Sequence, residues 1–122
     1  MKKILIAEDS RTMSKVLSCM LLDYFPKGSI EIIKVEDGAD ALFALKDEEI
    51  DLVFLDIMMP VVDGHSVAQY ISSRKLDVQT IIISSSLDKE VVTSLGKIGF
   101  KNFLPKPIHI NTLESILKKI GF

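Results

Sequence analysis

Leu52-Val53-Phe54-Leu55 is an apolar run that carries Asp56 at its carboxyl end and is stopped a few residues later by Pro60. A short apolar run bounded by acid and proline reads as a strand buried on both faces, which belongs in a parallel sheet covered by helices. Asp56 is then a carboxylate at a strand tip. In open α/β sheets, ligands and chemistry collect in the crevice just beyond the strand carboxyl ends. What meets Asp56 there decides what such a chain can do.

The rest of the chain repeats the same unit. Ile4-Leu5-Ile6-Ala7 ends in Glu8-Asp9, and Met13, Val16, Leu17, Met20 and Leu21 then fall at the spacing of one helical stripe. Pro26-Lys27-Gly28 breaks that pattern, Ile30 to Val35 supplies a β-branched strand, and Asp37-Gly38 turns the chain into a helix ending near Asp47. After the strand around Phe54, Asp63-Gly64 opens a helix through Val67, Tyr70 and Ile71. Thr80-Ile81-Ile82-Ile83 is a fourth strand closing on Ser84-Ser85-Ser86. Asp88 is placed to cap a helix carrying Val92, Leu95 and Ile98, which Gly99 ends. Phe103-Leu104 forms a short fifth strand before Pro105-Lys106-Pro107. Asn111 with Glu114 resembles a capping box ahead of a stripe of Leu113, Ile116, Leu117 and Ile120. Five strands alternating with five helices through short links predict right-handed crossovers and an α/β fold: a mainly parallel sheet with helices on both faces. The order 2-1-3-4-5 sets the first and third strands side by side, so that Glu8, Asp9 and Asp56 converge at one switch point.

Composition narrows the classes of function. A chain of 122 residues, 48% hydrophobic and 26% charged, suits a single domain over 1–122 and leaves no room for a second. Its 15 Lys and Arg against 17 Asp and Glu give a net charge of -2, so no basic field draws it to nucleic acid or membrane. The one cysteine, Cys19, excludes an internal disulfide, suits a reducing compartment and is expected to be a small core residue. The apolar run after Met1-Lys2-Lys3 stops at Ala7, too short for a signal peptide or a bilayer span, and the protein is expected in the cytoplasm.

Three carboxylates in one crevice repel each other, and without a cation at least one is driven toward protonation. A hard divalent cation resolves this. Mg2+, or Mn2+ in its place, takes oxygen ligands and keeps some waters, so a few carboxylates plus a phosphate suit it better than a full protein cage. Lys106 at the tip of the fifth strand and Ser84 at the tip of the fourth can hold the oxygens of a phosphoryl group attached to Asp56. The inferred chemistry is phosphoryl transfer onto aspartate. Taken singly, each piece has a plainer reading: Glu8-Asp9 as a helix N-terminus, Lys106-Pro107 as a turn, Ser84 to Ser86 as a polar loop, Phe103 as core. Jointly they occupy one sheet edge, which those readings do not explain. Met13 and Met20 are expected in the core and Lys97 and Lys101 at the solvated surface, while His65 and His109 lie too far from a ligand set for a transition-metal site.

With those residues in view, the chain resembles a two-component response-regulator receiver domain over essentially its whole length. Its undivided length resembles the single-domain, chemotaxis-type members. The strand order above is known for that family, so it is not independent of the resemblance. The resemblance implies Mg2+ binding by Glu8, Asp9, Asp56 and the backbone carbonyl of Met58, with Asp56 as phosphoacceptor in the run Asp56-Ile57-Met58-Met59-Pro60. It implies a switching hydroxyl at Ser84, a switching aromatic at Phe103 that turns from exposed to buried, and a lysine before a cis proline at Lys106-Pro107. Met58 and Ser86 fall where the family borders the path of water to the aspartyl phosphate. Ser85 replaces a usual alanine and Val61 a frequent glycine. The implied partners are a histidine kinase or phosphotransfer protein and a downstream protein on the surface of the fourth helix, fifth strand and fifth helix. Direct nucleic-acid contact and membrane insertion are not expected, and the chain is expected as a monomer or weak dimer. No enzyme activity is implied beyond its own phosphorylation and dephosphorylation. Alternatives are a receiver cut from a longer regulator and a phosphorylation-independent adaptor. An aspartate-nucleophile phosphatase of the haloacid dehalogenase type would want a second aspartate where Met58 stands, and a flavodoxin-like nucleotide site would want a phosphate loop where Glu8-Asp9 stand.

Overall fold

The apolar runs pair as a single parallel sheet in the computed structural model, which describes residues 1–86 and 89–122. Its strands are β1 (Lys2–Ala7), β2 (Ile30–Val35), β3 (Leu52–Asp56), β4 (Gln79–Ser84) and β5 (Asn102–Pro105), in the predicted order β2-β1-β3-β4-β5. Helices α1 (Arg11–Tyr24) and α5 (Ile110–Lys119) cover one face, and α2 (Gly38–Asp47), α3 (Gly64–Ser73) and α4 (Lys89–Lys97) cover the other. All of β3 is buried. Val53 and Leu55 face one core with Leu5 and Ile82, while Leu52 and Phe54 face the second with Ile4, Ile6 and Ile81. A central strand must therefore be apolar at successive positions rather than alternately, and each such side chain contributes about 1.5–3 kcal/mol on burial.

The helices that follow β1, β2 and β3 begin on polar caps, and those caps set the loops at the carboxyl edge. Ser10 Oγ accepts from the Met13 N–H at 3.2 Å, Asp37 Oδ1 from the Asp40 N–H at 2.8 Å, and Asp63 Oδ1 from the Ser66 N–H at 2.8 Å. The bonds to Ser66 hold the Asp63 carboxyl below its ordinary range. The capping box expected at Asn111 does not form. Helix α5 starts two residues earlier than that cap implies, its cap is His109 without a side-chain bond, and Asn111 lies exposed within the first turn. The expected cap Asp88 lies outside the described residues.

Helix α1 is rotated relative to the predicted stripe. Its buried residues are Ser14, Leu17, Ser18 and Leu21, while Val16 is 41% exposed and Met13 and Met20 are only partly covered. Small serines on that flank bring the helix close to the sheet, and Ser18 Oγ donates to the Lys15 carbonyl at 3.0 Å, which satisfies its buried hydroxyl. Cys19, expected in the core, is exposed. It stands two residues from Leu17, about 200° around the helix axis, and so points away from the sheet.

Two glycines and one strained residue shape the loops around β3. A Cβ on Gly38 would lie 1.9 Å from the Val62 carbonyl oxygen, and one on Gly64 would lie 2.0 Å from the carbonyl oxygen of Asp56, so both contacts exist only without a side chain. Val61, in the loop that both glycines approach, has φ 68° and is 80% exposed. The left-handed region costs a residue with a Cβ about 1–2 kcal/mol, and a β-branched side chain fits it poorly. Val61→Gly removes that strain and loses almost no packing, while glycine's greater freedom in the unfolded chain returns part of the gain. We expect a net stabilisation of about 0.5–1 kcal/mol, measured by urea unfolding; a variant no more stable than wild type would show that the loop is unstrained.

Candidate functional site at the carboxyl edge of the sheet

Strands β1 and β3 lie side by side, with Ala7 opposite Leu55, so Glu8 and Asp56 leave the sheet at neighbouring tips. Glu8 and Asp56 are buried and Asp9 is exposed. Oxygens of the three carboxylates lie within 4.8 Å of one another. Lys106, one residue past β5, reaches across to them: its Nζ lies 2.9 Å from Asp56 Oδ2 and 2.5 Å from Glu8 Oε1. The peptide bond between Lys106 and Pro107 is cis, as the resemblance implied. Ser84 ends β4 and is buried. Its Oγ accepts the Ser86 N–H at 3.0 Å and its carbonyl accepts the Lys106 N–H at 2.9 Å, which ties the two strand tips together.

The structure therefore gathers Glu8, Asp9, Asp56 and Lys106 directly and places Ser84 at the next strand tip. Phe103 pairs with Ile82 in the register of β4 and β5 and is half-buried against the core under α2, α3 and α4. The Met58 side chain is 69% exposed, and Ser85 and Ser86 are exposed beyond β4. Two contributions escape a reading of side chains. The Met58 N–H donates to Asp56 Oδ1 at 3.1 Å, and the Ser10 N–H donates to Glu8 Oε2 at 3.0 Å. The first is a backbone group that any residue supplies. The second had a signal in the sequence, since serine just before a helical stripe is a cap, and that cap folds the chain back onto Glu8.

Charge decides what else belongs here. Three carboxylates and one ammonium sum to −3 + 1 = −2 when all are ionised. Burial pushes the Glu8 carboxyl up from its ordinary 4.5 to about 7, against the opposing pull of Lys106 and of the Ser10 N–H. Burial also pulls Lys106 down, but the hydrogen bonds and charges of Asp56 and Glu8 outweigh it and hold the ammonium above its ordinary range. The donor set fits a hard divalent cation. It is all oxygen, it needs a charge of about +2, and Glu8 Oε1 is buried with the ammonium close by but no aligned hydrogen bond. In an octahedral Mg2+ site ligand oxygens lie about 3 to 4 Å apart, so a spread of up to 4.8 Å closes with a small movement. Glu8, Asp9 and Asp56 are the residues that would hold it.

The raised Glu8 pKa has a signed consequence. Between pH 4.5 and about 7 the folded protein keeps a proton that the unfolded chain has released, so metal-free stability contributed by this group falls as pH rises through that window. Thermal unfolding in a chelator across that range should show the decline in wild type, and Glu8→Gln should flatten it. Equal slopes in the two proteins would mean that Glu8 titrates as an ordinary surface acid.

The comparisons with known proteins agree with this geometry. The family model described as response regulator receiver domain matches residues 4–118. Among curated relatives, the probable C4-dicarboxylate response regulator DctR of Bacillus subtilis is 29% identical over 96% of this chain and 51% of its own length. The probable transcriptional regulator ycf27 of Galdieria sulphuraria is 32% identical over 96% of this chain and 44% of its own. The chain thus spans about half the length of these relatives. Among solved structures, the signal receiver domain of a DNA binding response regulator protein (merR) from Colwellia psychrerythraea 34H superposes with a TM-score of 0.88 at 27% identity, covering 98% of each chain. A CheY-like response regulator receiver domain protein from Methanospirillum hungatei JF-1 shares the fold, with a TM-score of 0.87 at 18% identity over 98% of this chain and 93% of that one. A match that runs from the middle of β1 almost to the end of α5 leaves no element of the sheet outside it, and the chain belongs to the response regulator receiver domain family.

Proposed function

We propose that the chain is a phosphoacceptor response regulator of two-component signalling. Asp56 takes a phosphoryl group from a phosphohistidine of a kinase or phosphotransfer protein, and the surface of α4, β5 and α5 then changes toward a downstream protein. The observation that carries this reading is the Lys106 ammonium on Oδ2 of a buried strand-tip carboxylate, with two further carboxylates beside it. Transfer forms an O–P bond at Oδ2 as the donor's N–P bond breaks, and the imidazole keeps the electron pair and takes up a proton. The phosphoryl oxygens then lie beside the ammonium that had held Oδ2. Mg2+ or Mn2+, held by Glu8, Asp9, Asp56 and the Met58 carbonyl, would neutralise charge on the incoming group.

In this reading Ser84 moves toward Asp56 to bond a phosphoryl oxygen, which releases the Ser86 N–H that it now accepts. That movement vacates space on the side of the sheet where Phe103 is half-buried, and the aromatic ring turns inward. Moving a population from mostly inactive to mostly active takes up to about 5.5 kcal/mol, within the range of several charge-assisted contacts. In this reading the chain catalyses only its own phosphorylation and dephosphorylation. It works in the cytoplasm through protein partners, without direct nucleic-acid or membrane contact, as a monomer or weak dimer. No helix among the described residues is long and apolar enough to cross a membrane.

Intact-mass measurement after acetyl phosphate and Mg2+ should show one added phosphoryl group that Asp56→Asn and Asp9→Ala both abolish. Labelling of Asp56→Asn, or full labelling of Asp9→Ala, would sink the acceptor or the metal assignment respectively. Lys106→Ala should fold but respond weakly to the phosphoryl group.

The lifetime of the phosphoryl group is a second test. Met58 is apolar and exposed at the rim, and Ser86 is uncharged, so neither activates the water that attacks in line with the bond to Asp56. Met58→Asn with Ser86→Glu should speed decay about tenfold, equivalent to about 1.4 kcal/mol in the barrier. Unchanged decay of the labelled double variant would place this control elsewhere.

A further inference from the structure

Helix α4 is the most lightly held of the layer that covers one face of the sheet. Of its nine residues Leu95 is the one fully buried, whereas α3 buries Gly64, Val67, Ala68 and Ile71. Side-chain hydrogen bonds at two points tie the described residues of the pair together. His65 Nε2 and Ser94 Oγ lie 3.0 Å apart, and Ser72 Oγ donates to the Ile98 carbonyl at 2.8 Å. His65 and Ser72 are seven residues apart, about 10 Å along α3. A single bond between two helices leaves them free to pivot about it; two bonds at that spacing also set their angle.

The His65 end of this clamp is fastened to the acceptor. Gly64, its neighbour, packs its Cα on the carbonyl of Asp56 and donates its N–H to the Ile57 carbonyl at 3.0 Å. The Ser72 end closes on the residue just past α4, next to Gly99 at φ 103°, a point where the chain can turn. We propose that the His65–Ser94 hydrogen bond is a latch that holds α4 in its unphosphorylated position, making the two side chains positioning residues for the switch. The inference rests on the phosphoacceptor reading and deepens it. Drawing Ser84 toward a phosphoryl group frees the Ser86 N–H and repacks the side of the sheet that α4 covers. The helix then pivots about its Ser72-bonded end, and the latch opens. Because phosphorylation favours the open arrangement, opening in turn favours the phosphorylated state by the same factor.

His65→Leu keeps an apolar side chain of similar size between the helices and removes the bond, and Ser94→Ala removes it from the other side. His65→Gln places an amide near the position of Nε2 and keeps it. Titration with beryllofluoride and Mg2+, a mimic of the phosphoryl group, should show about fivefold tighter binding for His65→Leu and for Ser94→Ala, equivalent to about 1 kcal/mol. His65→Gln should match wild type, and Ser94→Ala added to His65→Leu should change nothing further. In metal-free protein, the Phe103 amide resonance of both single variants should move part-way toward its beryllofluoride position. A wild type that responds normally beside variants that bind equally or more weakly would overturn the latch alone. A wild type that shows no response at all would overturn the phosphoacceptor reading and the latch with it.

Discussion

The Lys106 ammonium, set between two buried carboxylates at the ends of parallel strands, is the interaction on which the geometry and charge balance of the site depend. Strand tips in a doubly covered sheet are poor in water, and charges placed there must balance one another. One ammonium leaves two negative charges over, and at Glu8, where burial disfavours the charged form, the carboxyl is raised to about 7. That imbalance favours a dication, and in the proposed function the dication together with the Lys106 ammonium offsets the charge of a phosphoryl group. The dication meets the surplus directly, and the phosphoryl group brings new negative charge to a place already furnished with an ammonium.

Keeping these groups within reach is mostly the work of the backbone. Gly64 lets the start of α3 rest on the Asp56 carbonyl, the Met58 N–H aims the Asp56 carboxylate, and the cap at Ser10 returns an N–H to Glu8. The loop between β3 and α3 achieves this at the expense of a valine in a left-handed conformation. Strain of that kind persists where neighbouring contacts over-determine the chain, and here Gly64 and Gly38 pack against the two ends of the same loop, at Asp56 and at Val62. On the other side of the crevice the structure loosens. From the wholly buried β3 to an α4 that buries one leucine, cohesion falls toward the surface proposed for signalling, and elements with few buried contacts open most readily.

How much of this was legible in the sequence follows from what kind of information each feature needs. The five apolar runs and the acids, hydroxyl and lysine that end them are local signals. Right-handed crossovers and burial leave few ways to stack such units, so the parallel sheet with helices on both faces and the meeting of Glu8, Asp9, Asp56 and Lys106 were already implied. The strand order carried a further debt to the family resemblance. Periodicity says which residues share a helix face but not which flank of that face comes nearest the sheet. Val16 and Cys19 are therefore exposed while Ser14 and Ser18 are buried, because serines permit the closer approach.

Helix starts behaved in the same way. Asp37 and Asp63 cap as their sequence suggests, yet α5 begins at Ile110, so that Asn111 falls inside its first turn. The His65–Ser94 bond joins residues 29 apart in the chain, and the Met58 N–H is common to any side chain. By itself the sequence determined the layers, the buried central strand and the chemical identity of the site, because hydrophobic period and residue type are properties of short stretches. Only the tertiary structure decided helix rotation, the aim of the carboxylates and the bonds across α3 and α4, because each depends on distances between segments that no local pattern encodes.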